Sequence, residues 1–275
     1  MSWQAPSLRI DAPRRVRRWL ADAASDLHGP PAGTLRLRRR GLRRWQVDVA
    51  EMHAWGPLSA TVHEAFVELN RLAAVSAVAD HAVVHAGVVA YDGRAIALVG
   101  DSGSGKSTLT AAAVQAGAVF VADEVAVIDA DGAVQPFPRP IGVRRGTMDM
   151  LGLSGRRPAA EGSTPVRASR LGQVATAPVG LAAIVLVQRE ADATETECTP
   201  LSAAEALVML VHHTLQATGH EVEMFQRLDG LARRVPAYTV RYPDARRAVE
   251  CLPGLAGLAG LAGLAGLAGP AGGRG

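Results

Sequence analysis

One segment near the middle of the chain has the residue types and the spacing of a phosphate-binding loop. It matches the Walker A pattern Gly-x-x-x-x-Gly-Lys-Ser/Thr at every fixed position, and its residues are Gly100, Asp101, Ser102, Gly103, Ser104, Gly105, Lys106 and Ser107. Glycines allow backbone N–H groups to converge on phosphate oxygens without a Cβ in the way. The lysine ammonium reaches the terminal phosphates, and the serine hydroxyl is a ligand for Mg²⁺. The motif predicts a nucleoside triphosphate site that also includes Thr108.

The lysine of this loop is unusual in the chain as a whole. Lysine and arginine together number 29, and Lys106 is the one lysine among them. A compact ammonium on a slim stem fits among phosphate oxygens, where a planar guanidinium is too wide. The retention of lysine at this position therefore favours a phosphate site.

An acidic pair, Asp123-Glu124, follows the loop after one helix and one strand of predicted structure. By itself such a pair indicates an exposed strand end. Beside a phosphate loop it suits phosphoryl transfer, which needs a carboxylate to hold Mg²⁺ and a group to accept the proton of the attacking hydroxyl. We expect Asp123 and Ser107 to bind the metal, and the pattern alone leaves open which carboxylate is the base.

His85 lies in an apolar strand, among Val83, Val84, Val88 and Val89. A single histidine in such a strand is more often a satisfied core residue than a catalytic one. Its position alone therefore favours a structural role.

The elements around the loop indicate a mixed sheet. We expect strands at Val83–Tyr91 and Ala95–Val99 joined by a tight turn at Asp92-Gly93, because Asp-Gly is a strong hairpin signal. A helix at Thr108–Gln115 that ends near Gly117 and a strand at Val119–Ala122 should follow. The usual parallel nucleotide fold feeds its loop from a βαβ unit, whereas this loop lies between hairpins.

The remaining pattern predicts three regions: a small N-terminal α+β lobe at 1–80, a catalytic domain at 81–253 and a disordered Gly-Leu-Ala repeat at 254–275. Residues 138–180 are rich in Pro, Gly and Arg and indicate loops. The other expected elements are helices at Arg15–Leu27, Thr61–Ala79, Ser202–Gln216, Glu221–Arg234 and Asp244–Leu252, and strands at Leu35–Arg40, Trp45–Val49, Val125–Ile128, Ala133–Phe137, Leu181–Val187 and Ala237–Tyr242.

Composition excludes several classes of protein. The 275 residues are 48% hydrophobic and 20% charged, which is ordinary for a globular chain, and no apolar run approaches a membrane span. Two cysteines, Cys198 and Cys251, do not make a disulfide framework, so we expect a cytoplasmic protein with no membrane partner. The net charge is +3, and we interpret the arginines between Arg36 and Arg44 as a solvated strand face rather than a nucleic-acid surface.

The histidine strand His85-Ala86-Gly87-Val88-Val89, the glycine loop and Val121-Ala122-Asp123-Glu124 together resemble the catalytic domain of the HPr kinase/phosphorylase family. The resemblance is strong over 83–125 and weaker over 126–250, where Pro138-Arg139-Pro140 resembles the shorter HPr-kinase-like proteins. Residues 1–80 do not resemble the N-terminal domain of the family. The fold that this implies is the phosphoenolpyruvate-carboxykinase-like α/β type with a mixed sheet.

By this resemblance we expect the protein to be an ATP- and Mg²⁺-dependent kinase whose acceptor is a serine in a protein or peptide. Lys106 and Ser107 would bind phosphate and Mg²⁺, Glu124 would take the hydroxyl proton, and His85 would support that carboxylate. Two features of the family are missing. Gly142-Val143-Arg144-Arg145 stands where the family has a metal-binding glutamate, and Pro178-Val179-Gly180 stands where it has an arginine for dephosphorylation. We therefore expect no reverse, phosphorylase activity.

Two other functions stay open from the sequence. A nucleotide-binding switch or scaffold without transfer activity is compatible with the missing second metal carboxylate, and a small-molecule kinase on the same fold is compatible with the same motifs. A transporter-type ATPase is rejected, because Leu153-Ser154-Gly155 is followed by arginines and comes after the acidic pair. The choice of ATP over GTP and the presence of a homo-oligomer are also left open.

Overall fold

The computed structural model describes residues 3–153, 163–215 and 218–257. The N-terminal region forms a four-stranded sheet of order β1-β2-β3-β4, in which β1 is parallel to β2 and the other pairs are antiparallel. Its strands and helices are β1 (Ser7–Asp11), α1 (Arg14–Ala23), β2 (Pro31–Arg39), β3 (Trp45–Val49), β4 (Met52–Gly56) and α2 (Leu58–Ala77).

A second, nine-stranded sheet forms the centre of the molecule. Its path runs β5-β9-β10-β13-β7-β6-β8, with β15 beside β13 and β14 on β15. Strand β13 is parallel to its neighbours β7 and β15 and the other pairs are antiparallel, so the mixed sheet expected from the hairpin pattern is confirmed. The strands are β5 (Ala82–Val84), β6 (Ala86–Tyr91), β7 (Arg94–Val99), β8 (Val119–Ala122), β9 (Ala126–Ile128), β10 (Ala133–Gln135), β13 (Val179–Arg189), β14 (Glu197–Leu201) and β15 (Ala237–Tyr242).

Helices cover both faces of this sheet because its central strands are apolar on both sides. In β7, Ile96 and Leu98 face α3 (Lys106–Gln115) and α7 (Ala245–Leu255). Ala97 and Val99 belong to the opposite core, with α5 (Ala203–His212), α6 (Glu221–Arg234) and α2. The segment between β10 and β13 holds α4 (Arg145–Met150), a short 3₁₀ helix at Ala168–Arg170 and a two-stranded sheet of β11 (Ile141–Val143) and β12 (Thr164–Val166).

Helix α2 connects the two sheets. Its first half packs Val62 and Ala65 into the core of the N-terminal sheet, and its second half packs Leu69 and Ala73 into the core of the central sheet. The N-terminal region is therefore joined to the central sheet through a shared helix.

Several elements differ from the sequence-based expectation. The strand expected at Val83–Tyr91 is two strands, β5 and β6, which are separated at His85. The N–H of His85 donates to the carbonyl of His213, just beyond the end of α5, instead of to a neighbouring strand of the sheet. The fifth helix ends at His212 rather than at Gln216, which lies outside the described residues. Strands β1, β4, β11, β12 and β14 were not predicted, and β11 and β12 lie in the expected loop region.

The expected boundary of the repeat at residue 254 is wrong by a few residues. Helix α7 continues to Leu255, and both Leu255 and Ala256 are buried. These two residues pack in the same core as Val249 and Leu252, so the first repeat unit completes the helix. Residues 258–275 lie outside the described part of the chain.

No helix in the described ranges is long and apolar enough to cross a membrane.

Candidate functional site

The glycine loop connects β7 to α3 and depends on backbone conformations that only glycine adopts readily. Gly103 and Gly105 have φ values of 88° and 98°, in the left-handed region. A Cβ on Gly105 would also lie 2.4 Å from the hydroxyl of Tyr242. The two glycines therefore allow the loop to turn tightly and the start of α3 to lie close against β15.

Tyr242 fixes the loop from β15. Its hydroxyl donates to the carbonyl of Ser104 at 3.0 Å. Burial raises the pKa of Tyr242 to about 12, so the phenol keeps the proton that it donates. The loop is thus held at the N-terminus of α3, where the unpaired N–H groups and the helix dipole favour an anion.

Lys106 is folded into the loop. Its side chain is almost fully buried, and Nζ donates to the carbonyls of Gly100 at 2.5 Å and Asp101 at 3.1 Å. Burial lowers the pKa of Lys106, and the carboxylates of Glu124, Asp123 and Asp101 oppose that shift. The ammonium is therefore positioned beside the loop amides.

Asp123 lies beneath the loop at the end of β8, and its side chain is only 1% exposed. Ser107 Oγ donates to Oδ1 at 3.3 Å, while Oδ2 has no hydrogen-bond partner among the described residues. Burial, followed by the charge of Glu124, raises the pKa of Asp123 to about 7. The carboxylate is thus held where its charge is poorly stabilised, which a cation would correct.

Glu124 points the other way from its buried neighbour. Its side chain is one-third exposed, and its backbone has φ 72°, a left-handed conformation that is costly for a residue with a Cβ. His85 Nδ1 lies 2.9 Å from the carbonyl of Glu124 and 3.6 Å from its Oε2. Because a carbonyl can only accept, Nδ1 carries the hydrogen.

His85 is mostly buried beside this carboxylate. Burial lowers its pKa, and the nearby charge of Glu124 only partly offsets that effect. The structure thus places His85 against the acidic pair.

Arg139 is a site residue that the sequence pattern did not single out. It is 5% exposed, and Nη2 lies 3.8 Å from Oδ2 of Asp123. On its other side Nη1 donates to Asn70 at 3.3 Å, and the guanidinium lies 5.9 Å from the ring centroid of Phe66. Its position between Pro138 and Pro140 was the available signal, because a cation between two prolines is held in a rigid, extended segment.

A cavity of about 810 Å³ opens in front of these residues. Of the predicted site residues, eight line it: His85, Ser102, Gly103, Gly105, Lys106, Ser107, Thr108 and Glu124. Gly100, Asp101, Ser104 and Asp123 do not. Helix α2 forms one wall with His63, Phe66 and Asn70, and Thr108 is tied to Thr147 of α4 by a hydroxyl contact of 2.8 Å.

No protein-family model matches the chain, and a search of curated proteins finds no match. The case for a function therefore depends on the residues of this site.

Proposed function

We propose that the protein is a kinase that uses ATP and Mg²⁺ to phosphorylate a hydroxyl, with a serine of a protein or peptide as the favoured acceptor. The observation that carries the proposal is the contact of Ser107 with the buried carboxylate of Asp123, directly beneath a phosphate loop that faces a large cavity. We also propose the phosphoenolpyruvate-carboxykinase-like arrangement as the fold type, which the mixed sheet supports.

The loop would bind the triphosphate. Its amides and the N-terminus of α3 supply hydrogen bonds to phosphate oxygens, and Lys106 supplies a positive charge. Lys106 now donates to two loop carbonyls, and those bonds keep it close to the anion's position. Arg144 and Arg189 also line the cavity and add positive charge around the phosphates.

Ser107 and Asp123 would hold Mg²⁺, and the residues fit that ion. Mg²⁺ prefers oxygen ligands and is bound in such sites by one or two carboxylates together with phosphates. Oδ2 of Asp123 is buried with no hydrogen-bond partner among the described residues and has only the distant Arg139 guanidinium at 3.8 Å, which leaves it free to bind a cation. The bound ion would neutralise charge that develops on the phosphates.

Glu124 would accept the proton of the attacking hydroxyl. Its carboxylate faces the cavity, whereas that of Asp123 is enclosed, so the two acids are suited to different tasks. His85 would act as a positioning residue, because its Nδ1–H holds the backbone of Glu124 and lies near Oε2. Arg139 would keep Asp123 aligned from the side of α2.

The wall of the cavity that α2 forms supports a peptide acceptor. The cavity volume of 810 Å³ lies within the range of about 300–1,000 Å³ for small-ligand pockets, so it suits the nucleotide. The apolar and polar side chains of α2, Phe66, His63 and Asn70, form a wall away from the loop. A peptide segment that carries the serine would lie against this wall.

A nucleotide switch without transfer activity is the alternative that a specific observation favours. Gly142 and Arg144 line the cavity where a second metal carboxylate is expected from the resemblance. A switch would bind Mg·ATP and change conformation without transferring phosphate.

The test is transfer of radiolabelled phosphate from ATP to components of a lysate of the source cell. Wild type should label a protein or peptide band, and Glu124→Gln should lower labelling by roughly 10²–10⁴-fold while Mg·ATP still binds, because a positioned base contributes about that much. Asp123→Asn should weaken Mg²⁺ dependence and nucleotide binding together. Glu51→Gln, at an exposed glutamate between β3 and β4, is the matched control and should label as wild type does.

If no lane shows label across several growth conditions although the protein binds ATP, that result would support the nucleotide switch instead.

A further inference from the structure

Three side chains at the outer edge of the loop bring their ligating atoms together. Asp101, His212 and His213 each offer one ligand atom, and these atoms all lie within 4.8 Å of one another. Nε2 of His212 lies 3.6 Å from Oδ1 of Asp101, and Nε2 of His213 lies 3.9 Å from the same oxygen. The two imidazoles meet edge to face, with ring centroids 4.8 Å apart.

The phosphate site does not account for this cluster. Asp101 occupies a variable position of the loop motif, and its carboxylate is 81% exposed and does not line the cavity. His213 is different from both partners, because its side chain is only 9% exposed while its Nε2 faces Asp101. Two imidazoles and a carboxylate that converge in this way supply nitrogen and oxygen ligands that suit a transition-metal cation.

We propose that Asp101, His212 and His213 bind a transition-metal cation that prefers imidazole ligands, with Zn²⁺ as the ion that fits best. Tetrahedral Zn²⁺ with bonds of about 2.0–2.1 Å places its ligand atoms roughly 3.3 Å apart. The two contacts to Asp101 exceed that spacing by well under an ångström, and His212 is 71% exposed, which leaves its ring room to adjust. Mg²⁺ and Ca²⁺ take oxygen ligands and are not suited to two imidazoles.

The site joins two parts of the molecule that contain functional residues. The carbonyl of Asp101 accepts from Lys106, and the carbonyl of His213 accepts from the N–H of His85 at 2.7 Å. An ion between the side chains of Asp101 and His213 therefore links the phosphate loop to the end of α5 and to the strand junction at His85. Such a link would restrict the loop without occupying its anion site.

A simpler explanation for the same residues is electrostatic. Imidazoles near the C-terminal end of α5 interact favourably with the helix dipole, and an exposed aspartate can pair with them. That explanation requires no bound ion and predicts that the protein does not bind metal at these residues. The two explanations are separated by metal binding itself, which does not depend on the proposed kinase function.

The test is calorimetric titration of the full chain, free of nucleotide and without a polyhistidine tag, with ZnCl₂. We expect one high-affinity equivalent, and we expect His212→Gln to weaken it by roughly tenfold or more, since a change even in groups that orient metal ligands costs about 10–100-fold. The matched control is His53→Gln. His53 is an exposed histidine paired with Asp48 at 2.7 Å, and the variant should bind Zn²⁺ as wild type does.

Substitution with Co²⁺ identifies the ligands. We expect visible d–d absorption of a four-coordinate ion that is lost in His212→Gln, with no thiolate charge-transfer band. Such a band would place the ion at Cys198 and Cys251, which pack against the same hydrophobic core, and would overturn the proposal. Failure to bind Zn²⁺, or equal binding by wild type and His212→Gln with both folded by circular dichroism, would overturn it as well.

Discussion

The hydroxyl of Ser107 lies 3.3 Å from Oδ1 of Asp123, so the first turn of α3 and the end of β8 meet beneath the phosphate loop. This contact places a buried acid directly under the proposed triphosphate site. The hydrogen bond from Ser107 and the charge of Arg139 at 3.8 Å only partly offset the cost of burying its carboxylate. The charge state of Asp123 should therefore affect the stability of the nucleotide-free protein.

The first prediction concerns pH. Burial raises the pKa of Asp123 from 3.8 to about 7, so within that window the folded protein holds a proton that the unfolded chain has lost. The free energy of unfolding should then fall as the pH rises from about 4 to about 7, and Asp123→Asn should remove that part of the fall. Urea denaturation without Mg²⁺ or nucleotide, at about pH 5 and pH 8, measures it. Asp131→Asn, in the exposed turn before β10, should retain the dependence of wild type.

The second prediction concerns the lysine of the loop. Lys106→Ala removes the buried charge beside the proposed phosphate site, and hydrogen bonds to charged groups are worth about 1.5–3 kcal/mol. Nucleotide affinity should fall by roughly ten- to hundredfold or more, while the far-ultraviolet circular dichroism spectrum stays that of wild type. Arg43→Ala removes an exposed cation between β2 and β3 and should leave affinity unchanged. Equal ATP affinity in wild type and Lys106→Ala would exclude the assigned loop.

Part of the fold could be predicted because its signals are local. The helix expected from Ser202 begins with a capping box between Ser202 and Glu205, and the turn expected at Asp92-Gly93 joins β6 to β7. Such signals depend on residues within a few positions of one another. The approach of the acidic pair to the loop could also be predicted, because β7 and β8 are close together in the sequence and both pair with β6. The place of His85 beside the pair was expected from the family resemblance, since its position alone favoured a structural role.

What could not be predicted depends on long-range packing. Arg139 reaches Asp123 only because α2, far away in the sequence, supplies Asn70 and Phe66 as its other contacts. The break at His85 depends on a carbonyl of His213 at a distant helix end. Neither pairing leaves a periodic pattern in the chain, so neither could be deduced from hydrophobic spacing alone.

The third prediction concerns the close approach of β6 to α3. A Cβ at Gly87 would lie 2.2 Å from Oγ1 of Thr110 and 3.3 Å from Oδ1 of Asp123. Gly87→Ala should therefore cost roughly 1–3 kcal/mol of stability, the usual range for overpacking. Thr110→Ala should recover part of that loss in the double variant, because it removes the hydroxyl that the added methyl group would meet. Its removal breaks no hydrogen bond, since the buried Oγ1 of Thr110 has no hydrogen-bond partner among the described residues.

Denaturant midpoints of wild type, both single variants and the double variant measure this coupling. Gly180→Ala, in β13, is the control because none of the described residues places an atom within 4 Å of its Cβ position. Additive effects of the two substitutions would mean that the added methyl group does not meet Thr110.

The fourth prediction concerns the C-terminus. Truncation after Pro253 removes Leu255 and Ala256, which are buried in the core between α7 and the central sheet. The loss of a buried leucine costs about 2–5 kcal/mol, so this truncation should lower the melting temperature clearly. Truncation after Gly257 keeps every described residue and is the matched control. Equal melting temperatures of the two truncated proteins would show that Leu255 contributes no core packing.

The last prediction separates stability from catalysis at Glu124. Its φ of 72° places a side-chain-bearing residue in the left-handed region, which costs roughly 1–2 kcal/mol relative to glycine. Glu124→Gly should therefore raise the free energy of unfolding by up to about that amount, because glycine adopts this backbone conformation without strain. It should also abolish phosphate transfer, because it removes the carboxylate that the strained backbone holds at the cavity. Ala50, with φ 49° between β3 and β4, is the matched position outside the site. Ala50→Gly should stabilise the protein to a similar degree and leave transfer at the wild-type rate. A Glu124→Gly protein that is less stable than wild type would mean that contacts of the side chain with His85 outweigh the backbone strain.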